Sequence, residues 1–338
     1  MRQTSPDAVF LTWNDSRRSE SLSARLVLKR VVYVSHSRGI FRHVVGTIET
    51  ILFLARHRPT LIWYQFSYVL GITVAVYVHL AGKKRIRVAA DLHTKALRRE
   101  GPQILRPLIL ALKRWALASV RCTLVTNSAD ATYGEARLGI TPVMLPDPLP
   151  DPLPNTPPQP GFVAEKRSCD VVFICSFAED EPVDLMLEVC NQLFPRFSIA
   201  ITGEARRLKA AVRKKLQSVA IVTDFLENSE YWKVLRHART LVVLSSEPAC
   251  LPCGAYEAIA LGRKPILALG PEVRGFFRDL ALYVRLEPDE LRTAILKTVA
   301  DATVCCDPSI ALSYERLWER QWNQVSVTLA KLGCLPHA

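Results

Sequence analysis

The sequence predicts an α/β protein of two parallel-sheet domains, and three observations predict it. Short apolar, β-branched runs alternate with helical patterns along the chain, as strands joined by crossover helices do. A run with eight prolines in fifteen residues, Pro146 to Pro160, interrupts that alternation near the midpoint. Beyond it the alternation restarts, and 338 residues suit two domains of roughly 150 residues each.

Ala8 to Thr12 is the first buried strand. The polar loop Trp13-Asn14-Asp15-Ser16-Arg17-Arg18 follows it and leads into the helical pattern SESLSARL, the opening of a doubly wound domain. Further strands are expected at Val31–Val34, Leu61–Gln65, Arg87–Ala90 and Thr123–Thr126, with helices at 40–56, 69–81 and 103–119 between them. In an open α/β sheet the ligand crevice lies outside the carboxyl ends of the strands. Gln65, the run Asp91-Leu92-His93-Thr94 and Asn127 are therefore site candidates. His93 stands out among them because an imidazole donates or accepts a proton near neutral pH.

Proline fixes φ and cannot sustain a helix, so 151–160 reads as a semi-rigid linker between a first domain over 1–150 and a second over 161–310. Strands are expected again at Asp170–Cys175, Phe197–Thr202, Val219–Val222 and Leu241–Leu244. Glu179, Asp180 and Glu181 precede Pro182 and a helix, which is ordinary helix-start chemistry, with metal binding as the sharper alternative. The basic pattern ARRLKAAVRKKL and Asn228 to Ala238 are helical. A final amphipathic helix spans roughly 308–331, and 311–338 is expected to pack back toward the first domain. Two such domains facing one cleft put the ligand between them.

Composition narrows the partners. A formal net charge of +12 favours anions: nucleotides, phosphates or acidic lipid. Nine cysteines, an odd number, together with an N-terminus that lacks the pattern of a secretory leader, fit reduced thiols in the cytoplasm. Cys250 and Cys253 form one Cys-x-x-Cys, with no second pair or nearby His to complete a zinc site, so no metal is expected. Thr60 to Gly82 carries no Lys, Arg, Asp or Glu over 23 residues, long enough to span a bilayer. Its first half is β-branched and aromatic and its second half suits a buried helix, so it reads as strand plus helix.

The most informative stretch is Ser245 to Leu269, SSEPACLPCGAYEAIALGRKPILAL. A turn runs into a short helix that stops at Gly262, and Pro265 prevents its continuation before an apolar strand. Free amides at the helix start, at Cys253, Gly254 and Ala255, form an anion site suited to a diphosphate. Glu257, one turn in, can accept from the two hydroxyls of a ribose. No GxGxxG follows the first strand, and GxxxxGK[ST], GxSxG, HExxH and a close Asp-x-Asp pair are missing as well. The basic residues lack interleaved aromatics, so nucleic acid is not an expected partner.

The run GAYEAIALGRKPILAL resembles the donor-binding signature of GT-B glycosyltransferases, in particular the retaining GT4-like group of bacterial polysaccharide type. Pro252, Gly254, Glu257, Ala258, Ala260 and Gly262 match its Pro-x-Gly-x-x-Glu-Ala-x-Ala-x-Gly spacing, and Pro265-Ile266 close it. DLHTKALRRE is similar to the family's Asp-x-His segment, LVTNSAD to its strand-ending Thr-Asn segment and TGE to the second strand of its donor domain. WNDSRRSESLSARL resembles its acceptor-side loop and helix.

The resemblance implies a two-domain Rossmann-like GT-B fold. It also implies a metal-independent, retaining transfer from a nucleotide sugar to a glycan or lipid-linked acceptor, with no further cofactor. It assigns His93, with Asp91 beside it, to the transferred sugar and acceptor, and Glu257 with the Gly254 amides to the donor. Ser176 and Gly203 line donor loops, and Asp224 lies near the base.

The family commonly has a second glutamate where Ala249 stands here, with Glu247 two residues further out. The usual diphosphate-holding Arg and Lys are absent from CSFAEDEP, leaving Arg17, Arg18, Arg206, Arg207 or Lys209 as substitutes. Those departures keep a catalytically inactive binding protein in view, and a nucleotide-sugar 2-epimerase shares the fold. The expected location is cytoplasmic, with peripheral contact to the anionic inner face of the membrane.

Overall fold

A computed structural model describes residues 7–13, 16–32, 40–82, 86–98, 101–152, 169–301 and 306–336. The chain divides into two units, Met1–Pro148 with Trp318–Ala338, and Leu149–Leu317. Tyr33 and Val34 of the second expected strand, Arg99 and linker positions 153–160 lie outside the described residues.

In the first unit β1 (Ala8–Thr12) is buried throughout and precedes α1 (Arg17–Arg25), whose start is fixed by a capping box between Ser16 and Ser19. Then come β2 (Lys29–Val32), α2 (Ile40–His57) and β3 (Leu61–Gln65). The apolar run 60–82 breaks at Ser67, whose hydroxyl accepts from the Leu70 amide and starts α3 (Tyr68–Leu80). β4 (Arg87–Leu92), α4 (Thr94–Arg98), α5 (Arg106–Leu117), β5 (Cys122–Val125), α6 (Ser128–Tyr133) and β6 (Val143–Met144) complete it. All six strands are parallel, in the order β2-β1-β3-β4-β5-β6, and strand order reverses between β1 and β3. α6 and β6 are too short to leave a periodic trace. The pattern at 103–119 becomes helical in earnest only at Arg106, beside Pro107.

The second unit runs through β7 (Cys169–Phe173), α7 (Val183–Leu193), β8 (Ile199–Ile201), α8 (Ala210–Gln217), β9 (Ile221–Val222) and α9 (Asn228–His237). It continues through β10 (Ala238–Val243), α10 (Cys253–Ala260), β11 (Ile266–Ala268), α11 (Pro271–Phe277), β12 (Leu282–Val284) and α12 (Pro288–Ala300). The parallel order is β12-β11-β10-β7-β8-β9, with the reversal between β7 and β10. The expected basic helix begins at Ala210 rather than Ala205, because Leu208 and Lys209 are extended.

Each unit buries its own core, centred on Leu11, Ile62, Tyr64 and Val88 in the first and on Val171, Phe173, Val242 and Ile266 in the second. α13 (Pro308–Lys331) carries Trp318 and Trp322 as a stacked pair 5.8 Å apart, and the Arg25 guanidinium lies over both rings. Trp318 Nε1 donates to the Pro146 carbonyl at 3.0 Å and Trp63 Nε1 to that of Cys334 at 2.9 Å. The front of the proline run is thus held by the first unit.

Candidate active site

In the first unit the strand ends at the reversal gather polar side chains. Thr12 on β1 donates to Gln65 Oε1 at 2.8 Å, and Gln65 Nε2 donates to the Ser16 hydroxyl at 2.9 Å. Two groups bracket His93 Nε2: the Gln65 amide nitrogen at 2.7 Å and Asp91 Oδ2 at 3.3 Å. The Gln65 amide can donate to the neutral ring, and Asp91 can accept from the protonated one. His93 itself is half-exposed and Asp91 is fully buried. Burial alone would push the Asp91 carboxyl up, but the Arg18 guanidinium and His93 together outweigh it and hold that carboxyl well below the usual carboxylate range.

Arg18 takes a role that spacing did not reveal. It is 5% exposed, its Nε lies 2.8 and 2.9 Å from the two Asp91 oxygens, and Nη1 reaches Asp147 in the proline run. Two carboxylates therefore already neutralise its charge, and the expectation that it grips a diphosphate gives way to a structural role. Arg17 is exposed at the start of α1. Asn127 caps α6 and joins Thr94 and Arg98 around the buried Asp130, which braces the loop carrying His93.

In the second unit Glu257 sits on α10 beyond the carboxyl end of β10, 6% exposed. Tyr231 of α9 donates its hydroxyl to Glu257 Oε2. Ala249 is buried, and Glu247 accepts from its amide at 3.4 Å. Gly254 has a reason the sequence did not reveal: a Cβ there would meet Ile174 Cγ2 at 2.6 Å and Val243 Cγ1 at 3.1 Å. Its bare backbone lets α10 start against the sheet, which sets the directions of the Cys253 and Gly254 amides, whereas the Ala255 amide, expected to be free, donates to the Pro252 carbonyl at 3.0 Å.

The loop after β7 is closed on itself. Phe177 takes a left-handed φ of 56°, and the Glu181 carboxylate accepts from the Ser176 amide at 3.0 and 3.1 Å and the Ala178 amide at 2.6 Å. An own-chain anion fills this amide nest. Asp180 accepts from the Ser245 hydroxyl at 2.8 Å and, through its carbonyl, from the Ser246 amide at 2.7 Å, tying this loop to the one before α10. Asp180 and Glu181, two of the three acids ahead of α7, are thus engaged within the fold.

Gly203, at φ 104°, packs where a Cβ would meet the Cys175 carbonyl oxygen at 2.5 Å. Arg207 Nη1 donates to the Ser176 carbonyl at 3.1 Å, and Arg206 pairs with Glu204 at 2.8 Å. Asp224 accepts from the Ala205 amide at 2.9 Å on the rim of an open recess of about 740 Å³, with Arg206, Arg213 and the exposed Phe225. Sequence reasoning missed Tyr231 and Asp147, and it placed Glu181 before a helix without showing that its carboxylate fills the amide nest.

Neither any family model nor any curated protein matches the sequence. Solved structures match its fold. HepE from Anabaena, in complex with UDP, is 12% identical with a TM-score of 0.65 over 96% of this chain and 100% of its own. Sucrose-phosphate synthase from Thermosynechococcus elongatus is 13% identical, with a TM-score of 0.65 over 90% of this chain and 84% of its own. A UDP-GlcNAc 2-epimerase from Neisseria meningitidis, bound to UDP-GlcNAc, is 11% identical, with a TM-score of 0.57 over 96% and 100%. The fold is GT-B, with a Rossmann-like sheet in each unit.

Proposed function

We propose that this protein is a glycosyltransferase that moves a sugar from a nucleoside diphosphate donor to a glycan or lipid-linked acceptor in the cytoplasm, with retention and without a metal ion. The observation that carries the reading is Glu257, a buried carboxylate on the helix beyond the β10 strand end, oriented by Tyr231. Oε2 takes the tyrosine hydroxyl, and in this reading the carboxylate accepts from the ribose hydroxyls. The α10 amides stabilise the charge that develops on the departing diphosphate as the anomeric C–O bond breaks and the acceptor oxygen bonds to the same carbon, its hydroxyl proton passing to His93 or to the departing phosphate oxygen. His93 serves the acceptor hydroxyl or the sugar, with Asp91 and Gln65 fixing its ring. UDP is the nucleotide to try first, since the HepE structure holds it and the Neisseria epimerase holds a UDP-sugar.

Calorimetry with UDP, GDP and their sugars, on the intact chain and on Glu257→Ala, tests the donor assignment. Saturable binding that the variant loses supports it, and equal binding by the variant overturns it. Ala249 and the Glu181 carboxylate in its amide nest favour a second reading, a binding protein without turnover. Nucleotide binding with no transfer to any acceptor selects that reading, whereas sugar epimerised in the absence of acceptor selects the 2-epimerase.

A further inference from the structure

The helices on one face of the first sheet carry an apolar surface that the candidate site does not use. The crossovers from β2 to β3, β3 to β4 and β4 to β5 all step the same way across the sheet. Right-handed connections therefore place α2, α3 and α5 side by side on one face.

Gly46, Thr50 and Leu54 form the buried edge of α2. On its other side Phe41, Val44, Val45, Ile48 and Leu52 recur at three- and four-residue spacing and stand exposed, Phe41 by 69% and Leu52 by 63%. Ile104, 92% exposed, with Leu108 and Trp115, repeats the arrangement along α5 and the turn before it. Leu80 at the end of α3 is exposed between them. Scattered apolar residues on a surface are ordinary, but two apolar stripes on one helical layer, on the helices either side of α3, are not.

Charge identifies the occupant. α2 has a single acidic residue, Glu49, and neither α3 nor α5 has any. Arg56, Arg58, Arg106 and Arg114 are exposed around the stripes. A second copy of this chain, docked about a two-fold axis, would set the same arginine rim against itself. A bilayer with acidic headgroups answers both the stripes and the rim.

We propose that the α2–α3–α5 face docks on an anionic membrane surface, with Phe41, Ile48, Leu52 and Trp115 entering the interface and the arginines on headgroup phosphates. This deepens the lipid-linked acceptor in the proposed function, but its test reads membrane attachment and not transfer, so either can fail alone.

The test is co-sedimentation of the full chain with vesicles of phosphatidylcholine, and with vesicles in which about a third of that lipid is phosphatidylglycerol. Wild type is expected to pellet with the acidic vesicles only, and less as salt is raised. Phe41→Ser/Ile48→Ser/Leu52→Ser is expected to lose about tenfold or more in apparent affinity. Arg56→Ala/Arg58→Ala is expected to lose affinity and salt dependence together. Leu312→Ser, which removes an exposed leucine of the second unit, should bind as wild type, and circular dichroism checks that every variant is folded. Wild type absent from both pellets, equal binding to both vesicles, or a triple variant that binds as wild type overturns the proposal. So does a wild-type dimer in sedimentation velocity that the triple variant dissolves while vesicles stay unbound.

Discussion

Arg18 and Asp91 meet as a buried fork on carboxylate, with Arg18 Nε 2.8 and 2.9 Å from the two oxygens and Nη2 2.7 Å from Oδ1. The pair pins the first turns of α1 to the end of β4, two residues before His93. Removing one partner strands the other charge in the interior. Arg18→Met is therefore expected to cost about 3–5 kcal/mol. Arg18→Lys, which keeps the charge but not the fork, should recover part of that. Thermal unfolding reads both, and an unchanged midpoint in Arg18→Met would refute the role given to this pair.

The same pair sets a pH dependence. Burial raises the Asp91 carboxyl and Arg18 with His93 more than reverses it, so the folded-state value lies below the unfolded one. A depressed carboxylate contributes stability above about pH 4, and that contribution is lost as pH falls toward the folded value. Wild type should lose melting temperature on acidification through that window, and Asp91→Asn, starting lower, should lose less. Parallel curves for the two proteins would contradict the assignment.

Tyr231 and Glu257 make the next prediction. Tyr231→Phe removes one hydrogen-bond donor from a buried carboxylate. UDP affinity is expected to fall about three- to tenfold, at roughly 1 kcal/mol for the lost bond. A 2′-deoxy nucleotide, which offers the carboxylate one hydroxyl fewer, should show a smaller difference between wild type and variant. If both nucleotides respond equally, Glu257 is not the ribose ligand.

Glu181 occupies amides that a phosphate could use. Glu181→Ala releases the Ser176 and Ala178 amides, with an expected gain of about 1 kcal/mol in binding UDP or pyrophosphate. Titration calorimetry measures it. Weaker binding by the variant would mean that Glu181 shapes the loop for the donor instead of competing with it.

What was legible in the sequence follows the range of the interactions. Buried parallel strands show as apolar runs, so β1, β3, β4, β7 and β10 could be located within a residue or three. Glu257 was legible because its helix start, its glycine and its stop all fall within ten residues. Its partner Tyr231 lies 26 residues away and Asp147 lies 129 from Arg18, and pairings across such separations leave no periodic mark. Gly203 and Gly254, expected at the donor site, also sit where a Cβ would strike the neighbouring loop and the sheet, a packing reason that no local pattern shows. Only the folded chain could show that Arg18, one of two adjacent arginines, turns inward while Arg17 stays exposed.

His93 carries the last prediction. Its Nε2 lies between an amide and a buried carboxylate, so the ring is held while the residue keeps partial access to solvent. In the proposed function this group serves the acceptor hydroxyl or the sugar and not the nucleotide. His93→Ala should therefore leave UDP affinity within about twofold of wild type and lower transfer by about 10² or more, the range in which a positioned acid–base group contributes. Gln65→Ala, which removes only the amide at 2.7 Å, should fall between them in transfer rate with donor affinity again unchanged. The two measurements are separable, since calorimetry reads the donor and product formation reads the transfer. A His93→Ala variant that loses UDP affinity and transfer together would move this histidine out of the acceptor role and into the donor site.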